Sequence, residues 1–192
     1  MDGVDWMTLK EIRWHGRGGQ GVVTVSRLLA QAALLEGKYV QAFPEFGPER
    51  AGAPVKGFTR ISDEPIDLHS QIYEPDIVVV IDPALTRTVN VTEGIVKKGV
   101  FLANLKETPP KIKEEIDQAG AYLYLVDATR IALEVIGRPF FNTPMLGALV
   151  KSSETVSLES VKKVVTSRFR GGIAERNVSA MERAYKEVKK IE

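Results

Sequence analysis

The residues best suited to chemistry stand in one short run, Gly16-Arg17-Gly18-Gly19-Gln20-Gly21, which fits the pattern G-x-G-x-x-G. Glycines allow positive φ and let a phosphate approach the backbone. A helix opening on such a turn offers unpaired N–H groups and a partial positive charge. Anion binding is therefore chemically sound here. A nicotinamide reading fits less well, because the adjacent glycine pair and Gln20 are unusual for that fingerprint. The second strand also ends on Gln41, Ala42 and Phe43, where an acidic residue should meet a ribose. Glu45 follows only after Pro44, and no Lys-Ser/Thr completes a P-loop. The alternative is structural: a tight strand-to-helix turn that needs small residues for packing.

A second constellation is Pro44-Glu45-Phe46-Gly47-Pro48-Glu49-Arg50-Ala51-Gly52-Ala53-Pro54. Its prolines fix φ and lower the entropy cost of holding one shape. The loop should leave the C-terminal end of the second strand, the sheet edge where ligands bind and where the glycine run also lies. Glu45, Glu49 and Arg50 can pair with one another or with a partner. One reading is a rigid surface loop with a local ion pair; the other is an interface or ligand contact. The candidate ligand or subunit-interface residues are thus Gly16, Arg17, Gly18, Gly19, Gln20, Gly21, Glu45, Gly47, Glu49, Arg50 and Gly52.

The remaining candidates are weaker. Asp82 and Asp127 end buried strands and could face one cleft, but capping the next helix is the simpler role for each. His15 reads as a packing or turn residue, Trp6 and Trp14 as core or edge aromatics, and Lys151 as solvated. Arg168, Arg170 and Arg176 flank Gly171-Gly172, but Glu175 dilutes the patch. No Ser/His/Asp set, Cys/His pair or metal-ligand spacing is visible. No catalytic residue is expected in this chain, which reads as a binding protein or one subunit of something larger.

Composition narrows the choice. Of 192 residues, 26 are Lys or Arg and 25 Asp or Glu, a net charge of +1 that gives no reason to expect nucleic acid or a membrane as partner. Cysteine is absent, which excludes disulfides, a thiolate zinc site and thiolate-bound iron–sulfur clusters in this chain. Two histidines are too few for a histidine metal cage. No apolar stretch approaches the roughly 18–20 residues of a spanning helix, and the acidic start, Met1-Asp2-Gly3-Val4-Asp5, is no secretory signal. The expectation is a cytoplasmic protein.

The elements that must position these residues follow from periodicity. Short apolar runs alternate with helical patterns, which predicts an α/β fold: a Rossmann-like, doubly wound, mostly parallel sheet with a helical C-terminal part. Strands are predicted at 10–15, 39–43, 77–81, 100–103 and 121–126, and a weaker one at 55–61. The first helix, 22–36, carries Val22, Val25, Leu29 and Ala32 on one face and stops at Gly37. Pro110 opens another helix, and Asp127 caps one running to Ile136. After Arg138 strand signals stop. Thr143, Ser157 and Asn177 are the predicted caps of three helices, with Glu182 and Lys186 an i, i+4 pair on the last. No Ser/Gly-rich linker divides the chain, so residues 1–192 are read as one domain.

With these residues in view, the chain resembles gamma subunits of the 2-oxoacid:ferredoxin oxidoreductase family, of the pyruvate type. The resemblance rests on His15-Gly16-Arg17-Gly18-Gly19-Gln20-Gly21-Val22-Val23 and on Tyr39 through Pro54. It extends to Asp127-Ala128-Thr129, Gly137-Arg138-Pro139, Asn142-Thr143-Pro144-Met145-Leu146-Gly147 and Asn177. It implies a complex that oxidatively decarboxylates pyruvate with coenzyme A to acetyl-CoA, CO2 and reduced ferredoxin. It further implies thiamine diphosphate, magnesium and [4Fe-4S] clusters in partner alpha, beta and delta subunits, with ferredoxin as acceptor. The gamma chain would dock on that core, bind no cofactor alone, and contact coenzyme A or a neighbouring subunit through its glycine loop. Ketoisovalerate-type enzymes are the near alternative, and a stand-alone nucleotide-binding oxidoreductase the distant one.

Overall fold

A computed structural model describes residues 9–45 and 52–192. Trp6, Gly47, Glu49 and Arg50 lie outside the described residues, as does the middle of the proline-rich loop.

Among the described residues, seven strands form one sheet in the order β2-β3-β1-β4-β5-β6-β7. They are β1 (Lys10–Arg17), β2 (Tyr39–Pro44), β3 (Pro54–Ser62), β4 (Ile77–Val80), β5 (Val100–Asn104), β6 (Tyr122–Val126) and β7 (Lys189–Ile191). The β1, β4, β5 and β6 strands pair in parallel. The β3 strand is antiparallel to both β1 and β2, and β7 is antiparallel to β6. Two reversals give β2 the direction of β1, so the sheet is mixed but mostly parallel, as the sequence predicts. The placement of β3 between β1 and β2 is not legible in its weak alternation.

Among the described residues seven helices accompany the sheet: α1 (Val22–Leu35), α2 (Leu85–Thr88), α3 (Pro110–Ala119), α4 (Ala128–Val135), α5 (Asn142–Ser153), α6 (Leu158–Arg168) and α7 (Gly172–Glu187). The β4 strand shows why both faces are covered. Ile77 and Val79 enter one apolar core with Trp14, Leu29, Leu102, Ile131, Leu149 and Met181, under α1 and α4–α7. Val78 and Val80 enter a second core with Leu85, Phe101, Ile112 and Ile116, under α2 and α3. A strand buried on both faces has no need of polar alternation. The predicted face of α1 is the buried one: Val22, Val25, Leu29 and Ala32 are all at most 2% exposed.

Beyond β1 the second face is mixed, with Phe43 and Phe58 in ring contact at 5.2 Å beside polar side chains. Arg60, fully buried, donates to Glu11 at 2.7 Å and to Gln41 Oε1 at 3.1 Å, and reaches the carbonyls of Leu68 and Gln71. Gln41 in turn donates to the carbonyls of Ile66 and Leu68. Side chains from β2 and β3 thereby strap the irregular segment 63–76 over the sheet.

Four expectations are corrected. A strand does follow Arg138: β7, three residues of the pattern Lys-Lys-Ile, is defined by pairing with β6 rather than by local propensity. Thr143 is no cap, because α5 begins one residue earlier; Thr143 is buried and its hydroxyl has no partner among the described residues. Asn177 lies inside α7, which starts at Gly172, and its side chain donates back to the Ile173 carbonyl at 2.8 Å. Glu182 pairs across to Lys162 on α6 at 2.8 Å. Ser157 and Asp127 cap as expected, accepting from the N–H groups of Ser160 and Arg130.

Candidate functional site

The glycine run forms the turn from β1 into α1, at the C-terminal edge of the parallel strands. Its glycines are required sterically. A Cβ on Gly16 would collide with Val22 Cγ2, and one on Gly57 of the neighbouring β3 would stand 3.0 Å from Val22 Cγ1. The first residue of α1 is thus seated on two glycines. Gly21 is the N-cap of α1 in the left-handed region (φ 78°), and the Asn142 carboxamide packs against it. No side chain among the described residues caps α1.

The loop is laced to its surroundings. Gly18 N–H donates to the Ala53 carbonyl at 2.9 Å, and Gly52 N–H to the Gly18 carbonyl at 3.2 Å, continuing the β1–β3 pairing past its end. The end of the proline-rich segment therefore does lie against the glycine run. Gln20 Oε1 accepts from Arg17 N–H at 2.7 Å, and Gln20 Nε2 donates to Asp82 Oδ2 at 2.5 Å. Arg17 lies across the loop, with Nε 3.2 Å from Asp82 Oδ2 and Nη1 donating to the Gly52 carbonyl at 3.0 Å.

On the β3 side of the loop a cleft of about 480 Å³ opens, lined by Arg17, Gly18, Gly19, the first turn of α1 (Val22, Val23, Thr24), Pro44, Glu45 and Lys56. Glu45 pairs with Lys56 at 3.2 Å. An uncapped helix start, an arginine and a lysine converge here, a donor set suited to a phosphate group. A cleft of similar size at the opposite sheet edge holds Lys10, Lys97, Lys98 and Lys151. It also holds Asp76 and Glu154 and receives the C-terminal end of α5, whose dipole disfavours an anion.

Beneath the cleft, His15 is buried and accepts from Arg13 Nε at 3.0 Å. Burial, then the Arg13 and Lys56 charges, depress its pKa to about 3, so it is a neutral acceptor at physiological pH. Arg13 donates to the Val91 and Glu93 carbonyls; burial pulls its pKa down while the Glu93 and Glu45 carboxylates oppose the shift.

The predicted residues divide accordingly. Gly16, Arg17, Gly18, Gly19, Gln20, Gly21, Glu45 and Gly52 gather at one sheet edge. Asp82 and Asp127 do not share a cleft: Asp82 joins the glycine loop, while Asp127 lines a separate groove with Arg130 and Lys186. Nothing local marks Lys56, and Asn142 stands in the sequence reading within the Asn142–Gly147 block of the resemblance, with no hint of its packing on Gly21. Asn104 was missed too; its carboxamide ties the Ile81 carbonyl to Thr129 and so binds the ends of β4, β5 and α4. No group of three metal-ligating side chains stands together among the described residues.

Known proteins share this architecture. The pattern of the family described as pyruvate ferredoxin/flavodoxin oxidoreductase matches residues 11–187. The chain belongs to this family. It is 51% identical over 175 residues to the pyruvate/ketoisovalerate oxidoreductases common subunit gamma of Thermococcus litoralis, covering 91% of this chain and 95% of that one. It is 50% identical over 180 residues to pyruvate synthase subunit PorC of Methanocaldococcus jannaschii, covering 94% and 97%. Among solved structures, pyruvate oxidoreductase subunit PORC of Thermotoga maritima superposes with a TM-score of 0.85 at 43% identity, covering 96% of this chain and 99% of that one. No helix among the described residues is long and apolar enough to cross a membrane.

Proposed function

We propose that this chain is the gamma subunit of a multi-subunit pyruvate:ferredoxin oxidoreductase in the cytoplasm. It docks on a core built by alpha, beta and delta chains and helps hold coenzyme A at its glycine-edge cleft. The supporting observation is the cleft itself, where Arg17, Lys56 and the open end of α1 converge. Coenzyme A presents a pyrophosphate and a ribose phosphate, and such groups are held by these donors. The [4Fe-4S] clusters belong to the partners, because a chain without cysteine offers no thiolate ligands; thiamine diphosphate and its magnesium are assigned to the partners through the family resemblance alone. Ferredoxin takes the electrons from those clusters.

The test is reconstitution. The purified chain alone should reduce no dye with pyruvate and coenzyme A, and adding it to the partner subunits should restore turnover. Robust activity of the isolated chain, or full activity of the partners without it, would reject the reading. A second reading, service to a ketoisovalerate enzyme as well, is favoured by the name of the Thermococcus litoralis relative. It requires that the same chain restore a branched-chain core.

A further inference from the structure

In a doubly wound sheet, dinucleotides enter the crevice where neighbouring parallel strands send their connections to opposite faces. Here that crevice lies between β1 and β4: α1 covers the face of the first core and α2 that of the second. It is filled from within. The Gln20 carboxamide stands in it, bonded to Arg17 N–H on one side and to Asp82 on the other. It packs so closely on Gly16 that a Cβ there would lie 3.3 Å from Gln20 Oε1. Asp82 brings a nearly buried carboxylate to the same place, its Oδ1 accepting from Ala84 N–H and its Oδ2 facing Gln20 and Arg17. A pyrophosphate would have to displace an amide and face a negative charge.

We propose that Gln20 is a positioning residue: it closes the β1/β4 crevice and, with Asp82, holds Arg17 across the loop, so that the anion of the ligand is received on the β3 side. The inference rests on the reading of that cleft as a coenzyme A site. A guanidinium fixed at Nε by a carboxylate and at Nη1 by a carbonyl keeps one orientation, whereas a free arginine samples many. Gln20 secures the arrangement from beneath by fixing the Arg17 backbone and one lobe of Asp82.

A double-mutant cycle tests it in the assembled complex, with calorimetric coenzyme A affinity and KM against kcat as readouts. Arg17→Ala should weaken coenzyme A about tenfold, the order of one charge-assisted hydrogen bond. Gln20→Met, similar in length but unable to bridge, should weaken it several-fold and raise KM with kcat little changed. Gln20→Met added to Arg17→Ala should cost nothing more, because its effect runs through the arginine. Asp82→Asn, which keeps the shape, should move KM in the same direction and serves if Gln20→Met fails to assemble. Normal affinity in Gln20→Met, or a loss that adds in full to that of Arg17→Ala, overturns the positioning role alone. Normal affinity in assembled Arg17→Ala overturns the cleft reading and this inference with it.

Discussion

His15 stays neutral because burial disfavours its charged form and because protonation would set a second buried cation 3.0 Å from Arg13 Nε. The consequence for stability has a definite sign. Between pH 6.5, the ordinary histidine value, and about 3, the unfolded chain binds a proton at this position that the folded chain refuses. Stability from this group therefore rises with pH through that window and is lost as pH falls. From pH 7 to pH 5 the loss should be about 2 kcal/mol. Urea unfolding at both values should show that difference between the wild type and His15→Gln, which keeps an acceptor for Arg13 but cannot titrate. Equal pH dependence in the two proteins would show that His15 is not its source. The sequence identifies His15 as a packing residue, but not its partner. Arg13 and His15 are two apart on β1 and share a face, yet nothing local says that this face is closed over by residues 91–93. The glycines were legible for the opposite reason: a tight turn imposes its demand on neighbouring residues, such as Gly16 beneath Val22.

Elements read well where burial sets their apolar pattern, on both faces of a strand or along one stripe of a helix. Ile77–Val80 and the apolar stripe of α1 are found at their expected places. Elements set by partners read badly. Neither the register of β3 between β1 and β2 nor the three residues of β7 carries a local signal, and Asn177 looks like a cap only until α7 is seen to begin at Gly172. The strap over β2 and β3 depends on one such partner effect. Arg60 holds Glu11, Gln41 and two carbonyls at once, so Arg60→Ala strands several acceptors. It should cost about 2–4 kcal/mol, discounted because Glu11 is partly solvated. Denaturant titration measures the loss. Limited proteolysis should then cut within 66–71 in the variant and not in the wild type; an unchanged digest would mean the strap is held by other contacts.

At the scale of the whole molecule, the two cores share β4, whose alternate residues enter one or the other. Neither can dissolve without exposing the back of the same strand. A single domain is the expectation, and differential scanning calorimetry should show one transition with equal calorimetric and van't Hoff enthalpies. Two resolved transitions would mean that the cores are separate folding units. The β2–β3 hairpin has a different bearing. Because β3 runs antiparallel between two codirectional strands, β2 ends and β3 begins at the same sheet edge, beside the glycine turn. Changing the length of the connection between them shifts no strand register and requires no new crossover. The entropic cost grows only with the logarithm of the loop. On the proposed function, a change in the length of that connection would refit one scaffold to a different catalytic core and leave the glycine turn and its seated helix untouched.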